Sequence, residues 1–310
     1  MFEVVVEVVV DGEGGVSAHA DALWEEGRAL YVAESPGRLV IGFAERVAAE
    51  EAARRLGGAV VEVDVSARGD LDAWRAWARP TRVGRLVVRP AWLPSGPLAP
   101  ADVEIAVDPG HAFGHGSHPS TRLVLAALVE RLEGGESVLD VGCGSGVLSI
   151  AAAALGAESV RAVDIDPTAV AVTRANALAN YMSRRIDVDS TPVAAIRRRF
   201  DVVVANIGVV VLRELAPALV ARVAAGGWVA FSGLLEHQWE EVVDRVLERP
   251  SADSGAAGAA VASGAAGPVH LAGVAREEGW AAPILRDGRA PGEVTGLDVV
   301  PGSGPTDDRG

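Results

Sequence analysis

The 310-residue sequence contains a single cysteine, Cys143. One thiol closes no internal disulfide and builds no cysteine-rich zinc site. Long hydrophobic runs are missing as well. The longest apolar stretches are strand-like, as in Val4–Val10, and charge interrupts them. None approaches the ~20 residues that a membrane-spanning helix requires. The N-terminus, Met-Phe-Glu-Val, shows neither a basic region nor a small-residue cleavage site. No signal peptide is read there, and a cytoplasmic location is expected. Positive charge is in deficit: 28 basic against 42 acidic residues leave a net charge of −14 and a pI near 4.9. Such a surface repels nucleic-acid phosphates, so direct nucleic-acid binding is not expected. It keeps the chain soluble, and it attracts a basic, lysine-rich partner. No internal repeat is found.

What is present is ample core material, with 49% hydrophobic and 23% charged residues over a length that allows two domains. Residues 1–65 read as a small α+β unit. Phe2–Val10 alternates Val and Glu as a half-buried strand does. Ala18–Gly27 resembles a helix, Leu39–Phe43 a short strand, Arg46–Leu56 a helix stopped by Gly57-Gly58, and Val60–Val65 another strand. The order strand, helix, strand, helix, strand predicts a ferredoxin-like module. Residues 66–100 read as a linker. It holds a helical patch with Trp74 and Trp77, a strand at Leu86–Val88, and the prolines Pro90, Pro94, Pro97 and Pro100.

From 101 to 288 the pattern changes to apolar strands alternating with helices. Val138–Val141, Ser159–Asp164, Val202–Asn206 and Trp228–Ser232 are the strand candidates, with Val269–Val274 and Trp280–Leu285 as the last two. Nearly continuous apolar strands separated by helices predict an α/β fold, with a doubly wound, mostly parallel sheet covered on both faces. Residues 251–267, almost entirely Ala, Gly and Ser, read as a flexible insertion, and 289–310 as a disordered tail.

The stretch Val138-Leu-Asp-Val-Gly-Cys-Gly-Ser-Gly146 carries most of the chemistry. It runs an apolar strand into three alternating glycines and then into a helix. Glycine is required where backbone turns tightly and approaches a ligand. A dinucleotide fingerprint would read Gly-x-Gly-x-x-Gly, and a phosphate loop would continue into Gly-Lys-Ser/Thr. Neither is present. Asp164 closes the next strand, so loop and carboxylate are expected at the same carboxyl edge of the sheet. A carboxylate there accepts hydrogen bonds from both hydroxyls of a ribose. Two free ribose hydroxyls and no phosphate describe the nucleoside of S-adenosyl-L-methionine. Loop and strand-end Asp together indicate a Rossmann-like class I methyltransferase. Asp166, just before Pro167, is a candidate helix N-cap.

Upstream lies Asp108-Pro-Gly-His-Ala-Phe-Gly-His-Gly-Ser-His-Pro-Ser-Thr-Arg122, and downstream Val204-Ala-Asn-Ile207. With these the sequence resembles the ribosomal protein L11 methyltransferase family. That family's pattern Asp-Pro-Gly-x-Ala-Phe-Gly-x-Gly-x-His-x-x-Thr, its glycine loop, its Asp-Ile-Asp-Pro and its Ala-Asn-Ile occur here in the same order. Leu215-Ala-Pro, Gly226-Gly227, Phe231-Ser-Gly-Leu and Arg276-Glu-Glu-Gly-Trp280 resemble it too. The likeness is clear over roughly 105–245. Over 1–65, where the family carries a substrate-recognition domain, it is one of architecture. The resemblance implies cofactor contacts at Thr121, Gly142, Asp164 and Asn206, with Gly144 in the same loop. It implies that Phe113 and Gly114 fold over the methionine end of the cofactor. His115 replaces the family's usual Thr, Gly208 a usual Leu, and the insertion at 251–267 is atypical.

The implied activity is N-methylation of lysine side chains and of the N-terminal amine of ribosomal protein L11. The sequence leaves open another protein's lysines, a small-molecule amine, or a cofactor-binding module without turnover. The glycine spacing disfavours an NAD-dependent dehydrogenase. Asn206 is the candidate for orienting the amine, and no residue stands out as an essential general base. His111, His115 and His118 lie close in sequence, but the intervening glycines supply no helix to align them, and no metal is expected. His118 is assigned a structural hydrogen bond in the loop. Trp74, Trp77 and Trp92 are read as packing residues, and Cys143 as a small filler.

Overall fold

A computed structural model describes residues 2–9, 29–35, 38–43, 46–56, 59–64, 78–110, 114, 116–247 and 269–288. The chain forms two compact units. One comprises Met1–Pro80 with Gly208–Val211, the other Thr81–Ile207 with Leu212–Gly310.

The first unit holds β1 (Phe2–Val9), β2 (Ala29–Ser35), β3 (Arg38–Phe43), α1 (Arg46–Leu56) and β4 (Ala59–Asp64). Its sheet runs β2-β3-β1-β4, and every pairing is antiparallel. Ala49, Ala52 and Ala53 are the buried side of α1, and Arg46 pairs with Glu50 one turn on. Strand β2 is absent from the expected order. Its run Ala-Leu-Tyr-Val-Ala-Glu-Ser has no clean alternation, so periodicity misses it. The Pro36-Gly37 dipeptide before β3 is the hairpin signal that finds it, and Ser35 indeed lies opposite Arg38. The helix read at 18–27 lies outside the described residues, as do Trp74, Trp77, the stretch 251–267 and the tail 289–310.

The second unit begins with β5 (Thr81–Val83), β6 (Leu86–Pro90) and β7 (Val103–Val107). These form a small three-stranded sheet, β5-β6 antiparallel and β6-β7 parallel. Part of the stretch read as linker therefore belongs to this unit's core, where Leu86, Val88, Ile105 and Val107 are buried. Prolines 94, 97 and 100 fall between β6 and β7, where no ladder bond is needed. Next come α2 (Pro119–Arg131), β8 (Ser137–Val141), α3 (Val147–Ala154), β9 (Ser159–Val163), α4 (Pro167–Ala179), β10 (Ile186–Asp189) and β11 (Phe200–Asn206). The chain continues through α5 (Val209–Val220), β12 (Val223–Ser232), β13 (Leu234–Leu235), α6 (Trp239–Leu247), β14 (Val269–Glu277) and β15 (Trp280–Asp287).

The main sheet has the order β10-β9-β8-β11-β12-β15-β13, with β14 on β15. Strands β10 to β12 are parallel, and β15 joins β12 antiparallel. Continuous apolar runs mark the centre: all of β8 and Val202–Ala205 of β11 are buried. Helix α3 is apolar on every side, and Val147–Ala153 are all buried. Each fully buried Leu, Ile or Phe in this layer stabilises the fold by roughly 1.5–3 kcal/mol. No helix among the described residues is long and apolar enough to cross a membrane.

Candidate active site at the carboxyl edge

The strand order reverses between β8 and β11, and open α/β sheets bind ligands beyond the carboxyl ends at such a point. Gly142 follows β8, Asp164 follows β9, and Asn206 ends β11. The topology thus brings these three sequence-distant residues to one edge.

The glycine loop is fixed mostly by main chain. The amides of Gly142 and Cys143 both donate to the Val163 carbonyl, at 2.8 and 3.2 Å. Gly142 has φ +73°, and a Cβ there would lie 2.3 Å from Ile207 Cγ2, so no side chain fits. The Gly144 amide donates to Asp164 Oδ2 at 3.0 Å, and the Asp166 amide to Oδ1 at 2.9 Å. These bonds aim the half-buried carboxylate. They leave lone pairs on both oxygens, so a diol can still donate to it. Asp166 is the N-cap of α4, accepting from Thr168 N at 2.8 Å, and Pro167 opens the helix as expected.

Beneath the loop sits Asp140, fully buried. Ser149 Oγ donates to its Oδ2 at 2.6 Å, while its Oδ1 has no partner. Burial pushes its pKa up to about 7; the Ser149 bond opposes that shift and the nearby Asp164 charge adds to it. Burial also pushes the Cys143 thiol up, so it is no nucleophile, in keeping with a filler role.

On the opposite side, Asn206 Nδ2 donates to Thr121 Oγ1 at 3.1 Å. That bond sets the amide orientation, and Oδ1 accepts no hydrogen bond among the described residues. Thr121 itself is buried on α2. His118 is the N-cap of α2: its Nδ1 accepts from Ser120 N at 3.3 Å and lies 2.8 Å from Ser120 Oγ. Gly114 is tied to the glycine loop, because Ser145 Oγ donates to its carbonyl. Phe113, like His111 and His115, lies outside the described residues.

Sequence reasoning missed several supports. Asn176 on α4 accepts from Asp108 N at 3.0 Å and donates to the carbonyls of Asp108 and Ser145, at 2.8 and 2.9 Å. One turn on, Asn180 accepts from Ala106 N and donates to Ala106 O, at 2.8 and 2.7 Å. The pair continues the β7 edge with side-chain amides. The Asn-x-x-x-Asn spacing on one helix face was the available signal. Thr173 Oγ1 donates to the Gly144 carbonyl at 2.9 Å.

A parallel sheet of this order, with a glycine loop after its first strand and an acid after its second, defines a class I methyltransferase fold. The cofactor of that class is S-adenosyl-L-methionine. The family model for ribosomal protein L11 methyltransferase (PrmA) matches residues 43–253. A protein of that name from Geobacter metallireducens is 48% identical over 172 residues, 55% of this chain and 56% of the relative. One from Laribacter hongkongensis is 42% identical over 225 residues, covering 72% of this chain and 73% of the relative. The crystal structure of a ribosomal protein L11 methylase from Lactobacillus delbrueckii subsp. bulgaricus superposes with a TM-score of 0.57 at 28% identity. It covers 67% of this chain and 98% of that one. The chain belongs to the ribosomal protein L11 methyltransferase family. It spans a little over half the length of the Geobacter relative.

Proposed function

We propose that this protein transfers the methyl group of S-adenosyl-L-methionine to lysine side chains and the N-terminal amine of ribosomal protein L11. The names of its relatives support the substrate. The observation that carries the reading is the pairing, at one sheet edge, of an aimed Asp164 with an Asn206 whose Oδ1 accepts no hydrogen bond among the described residues.

The residues fit this cofactor. Asp164 would hold the ribose diol. Ile165, beside it and 93% exposed, offers an apolar surface for the adenine; an exposed Ile in Asp-Ile-Asp was a signal the sequence reading passed over. Gly142, Gly144 and Gly114 would line the methionine half, with Phe113 over it. Asp140 and Asp164 lie close enough for their charges to interact, and a cationic ligand relieves that repulsion. When bound, the cofactor supplies a methyl already activated on sulfonium. The chain's own task is then positioning. Asn206 Oδ1 accepts an N–H of the incoming amine and turns its lone pair toward the methyl. Desolvation at the cleft favours the neutral amine, the form that has a lone pair. Residues 1–65, read as a ferredoxin-like domain, would recognise L11. The −14 charge would draw in a basic substrate, in the cytoplasm where ribosomal proteins are made.

Mass spectrometry of purified L11, incubated with enzyme and methyl-labelled cofactor, tests this. The expected result is label on lysines and the terminal amine. The 28 basic residues of the enzyme are all arginine, so it offers its own site no lysine side chain and label on lysine belongs to the substrate. Unlabelled L11, with an enzyme that binds S-adenosylhomocysteine, would overturn the substrate assignment.

A further inference from the structure

Gly114 and the segment 116–121 approach the cleft from outside the main sheet, and short contacts fix them. Gly114 is bound to Ser145. Gly116 has φ +92° and rests on Val88, where a Cβ would come within 2.7 Å of Cγ1. Ser120 accepts at its carbonyl from Ser232 Oγ at 2.8 Å, and Thr121 meets Asn206. The middle of the segment is held by a different part of the chain. Arg122 donates from Nη1 to the Ser117 carbonyl, from Nε to Glu277 Oε1 at 3.1 Å, and from Nη2 to Glu278 Oε1 at 2.8 Å. His118 meets the edge of Trp280 at 4.7 Å between ring centroids. Glu277, Glu278 and Trp280 surround the tip of the β14–β15 hairpin.

Two details argue that this tip does more than close a turn. Glu278 has φ +50° and is followed by Gly279 at +80°, a turn in which Asn or Gly ordinarily takes the first position. A glutamate in the left-handed region is an outlier, and its carboxylate, with the side chain 67% exposed, binds Arg122. The ion pair is also a poor choice for stability alone. Arg122 and Glu277 side chains are only 22% and 18% exposed, and Glu277 Oε2 is buried without a partner. Such pairs stabilise little against an apolar alternative but orient well. The same tip reaches the other side of the site. The Gly279 carbonyl accepts from Glu236 N at 2.8 Å, and Leu235 pairs with Trp280. That strand follows Gly233, which packs on the carbonyl of Ile207, next to Asn206.

We propose that Glu277 and Glu278, acting through Arg122, position the segment 116–121 against the cofactor, so that the hairpin tip braces both sides of the methyl-transfer cleft. Arg122 is then a positioning residue. This rests on the reading of the cleft as an S-adenosyl-L-methionine site.

The test compares Arg122→Met, Glu278→Asn and their combination with wild type. Melting temperature, S-adenosylhomocysteine affinity by calorimetry, and KM for the cofactor against kcat on L11 are measured. Glu278→Asn keeps the left-handed turn, so a purely structural role predicts an equal or higher melting temperature and unchanged affinity. The proposal predicts that Arg122→Met raises cofactor KM about tenfold and Glu278→Asn severalfold, with kcat at saturating cofactor within about threefold. The double variant should be no worse than Arg122→Met, since both break one link. Wild-type affinity in either folded single variant, or additive losses, would overturn the proposal. Wild-type protein that fails to bind S-adenosylhomocysteine would overturn the site reading itself, and this proposal with it.

Discussion

The glycine loop at 142–146 and the segment at 114–121 line the same carboxyl edge, yet they are held by opposite means. The loop is pinned by main-chain amides on Val163, by glycines that admit no Cβ, and by the helix after it, buried over Val147–Ala153. Its main-chain partner Val163 lies in the adjoining β9, and the side chains of Thr173 and Asn176 on α4 and of Ile207 close over it. The segment at 114–121 is pinned by side chains from Ser145, Ser232, Asn206, and, through Arg122, from Glu277 and Glu278 far down the chain. A site needs both kinds of support. Local backbone geometry gives a rigid cradle that few substitutions can change. Long-range side-chain bonds give a surface that single substitutions can loosen without unfolding the domain.

Four further substitutions probe that contrast, beginning with the largest effect. Asp164→Ala removes the carboxylate aimed by the amides of Gly144 and Asp166. It should weaken S-adenosylhomocysteine binding about a hundredfold or more, read by calorimetry, because charge-assisted bonds to both hydroxyls vanish. Near-normal affinity would mean the loop, and not the acid, holds the nucleoside.

Asn206→Ala, on the side-chain-built side, should lower kcat on L11 by about ten- to a hundredfold and change cofactor affinity less. Equal losses in kcat and affinity would place Asn206 with the cofactor only.

Asp140→Asn addresses the charge below the loop. The folded protein holds this proton up to pH about 7, whereas the unfolded chain releases it near the ordinary 3.8. More protons are bound in the native state across that window, so the stability contribution of Asp140 falls as pH rises from about 4 to 7 and is level above it. The variant should flatten that part of a melting-temperature profile. In wild type, binding of the cationic cofactor near pH 6 should release a proton, seen as a buffer-dependent heat, and Asp140→Asn should abolish it. Persistence of the heat in the variant would assign the proton to another group.

Cys143→Ser should have the smallest effect. The thiol is buried and held protonated. Folded wild type should alkylate slowly, and the variant should keep cofactor affinity within about twofold. Rapid alkylation with loss of binding would show that the loop opens.

Legibility followed the same division. The loop, Asp164 and the cap at Asp166 could be read because each depends on neighbours in sequence: an apolar run, glycine spacing, an acid before a proline. Helix α1 was placed at its observed ends, since apolar spacing and a glycine pair bracket it. Strand β10 was not anticipated, because Ile186-Asp-Val-Asp189 is four residues long and half polar. The core role of 81–107 was obscured by Pro94, Pro97 and Pro100, which lie between β6 and β7, and by Pro90, which ends β6. Asn176, Asn180 and Arg122 escaped notice because the partners that give them their roles are 31 to 156 residues away. No periodicity in one segment reports on such a partner.

The sequence by itself determined the apolar strands, the bare loop and the acid that follows it, because steric freedom at glycine and burial of valine act residue by residue. Tertiary structure alone decided that the amide nitrogen of Asn206 turns to Thr121, and which distant carboxylates hold Arg122. Those outcomes depend on strand order and on hydrogen-bond partners that meet only after the sheet has closed around α2.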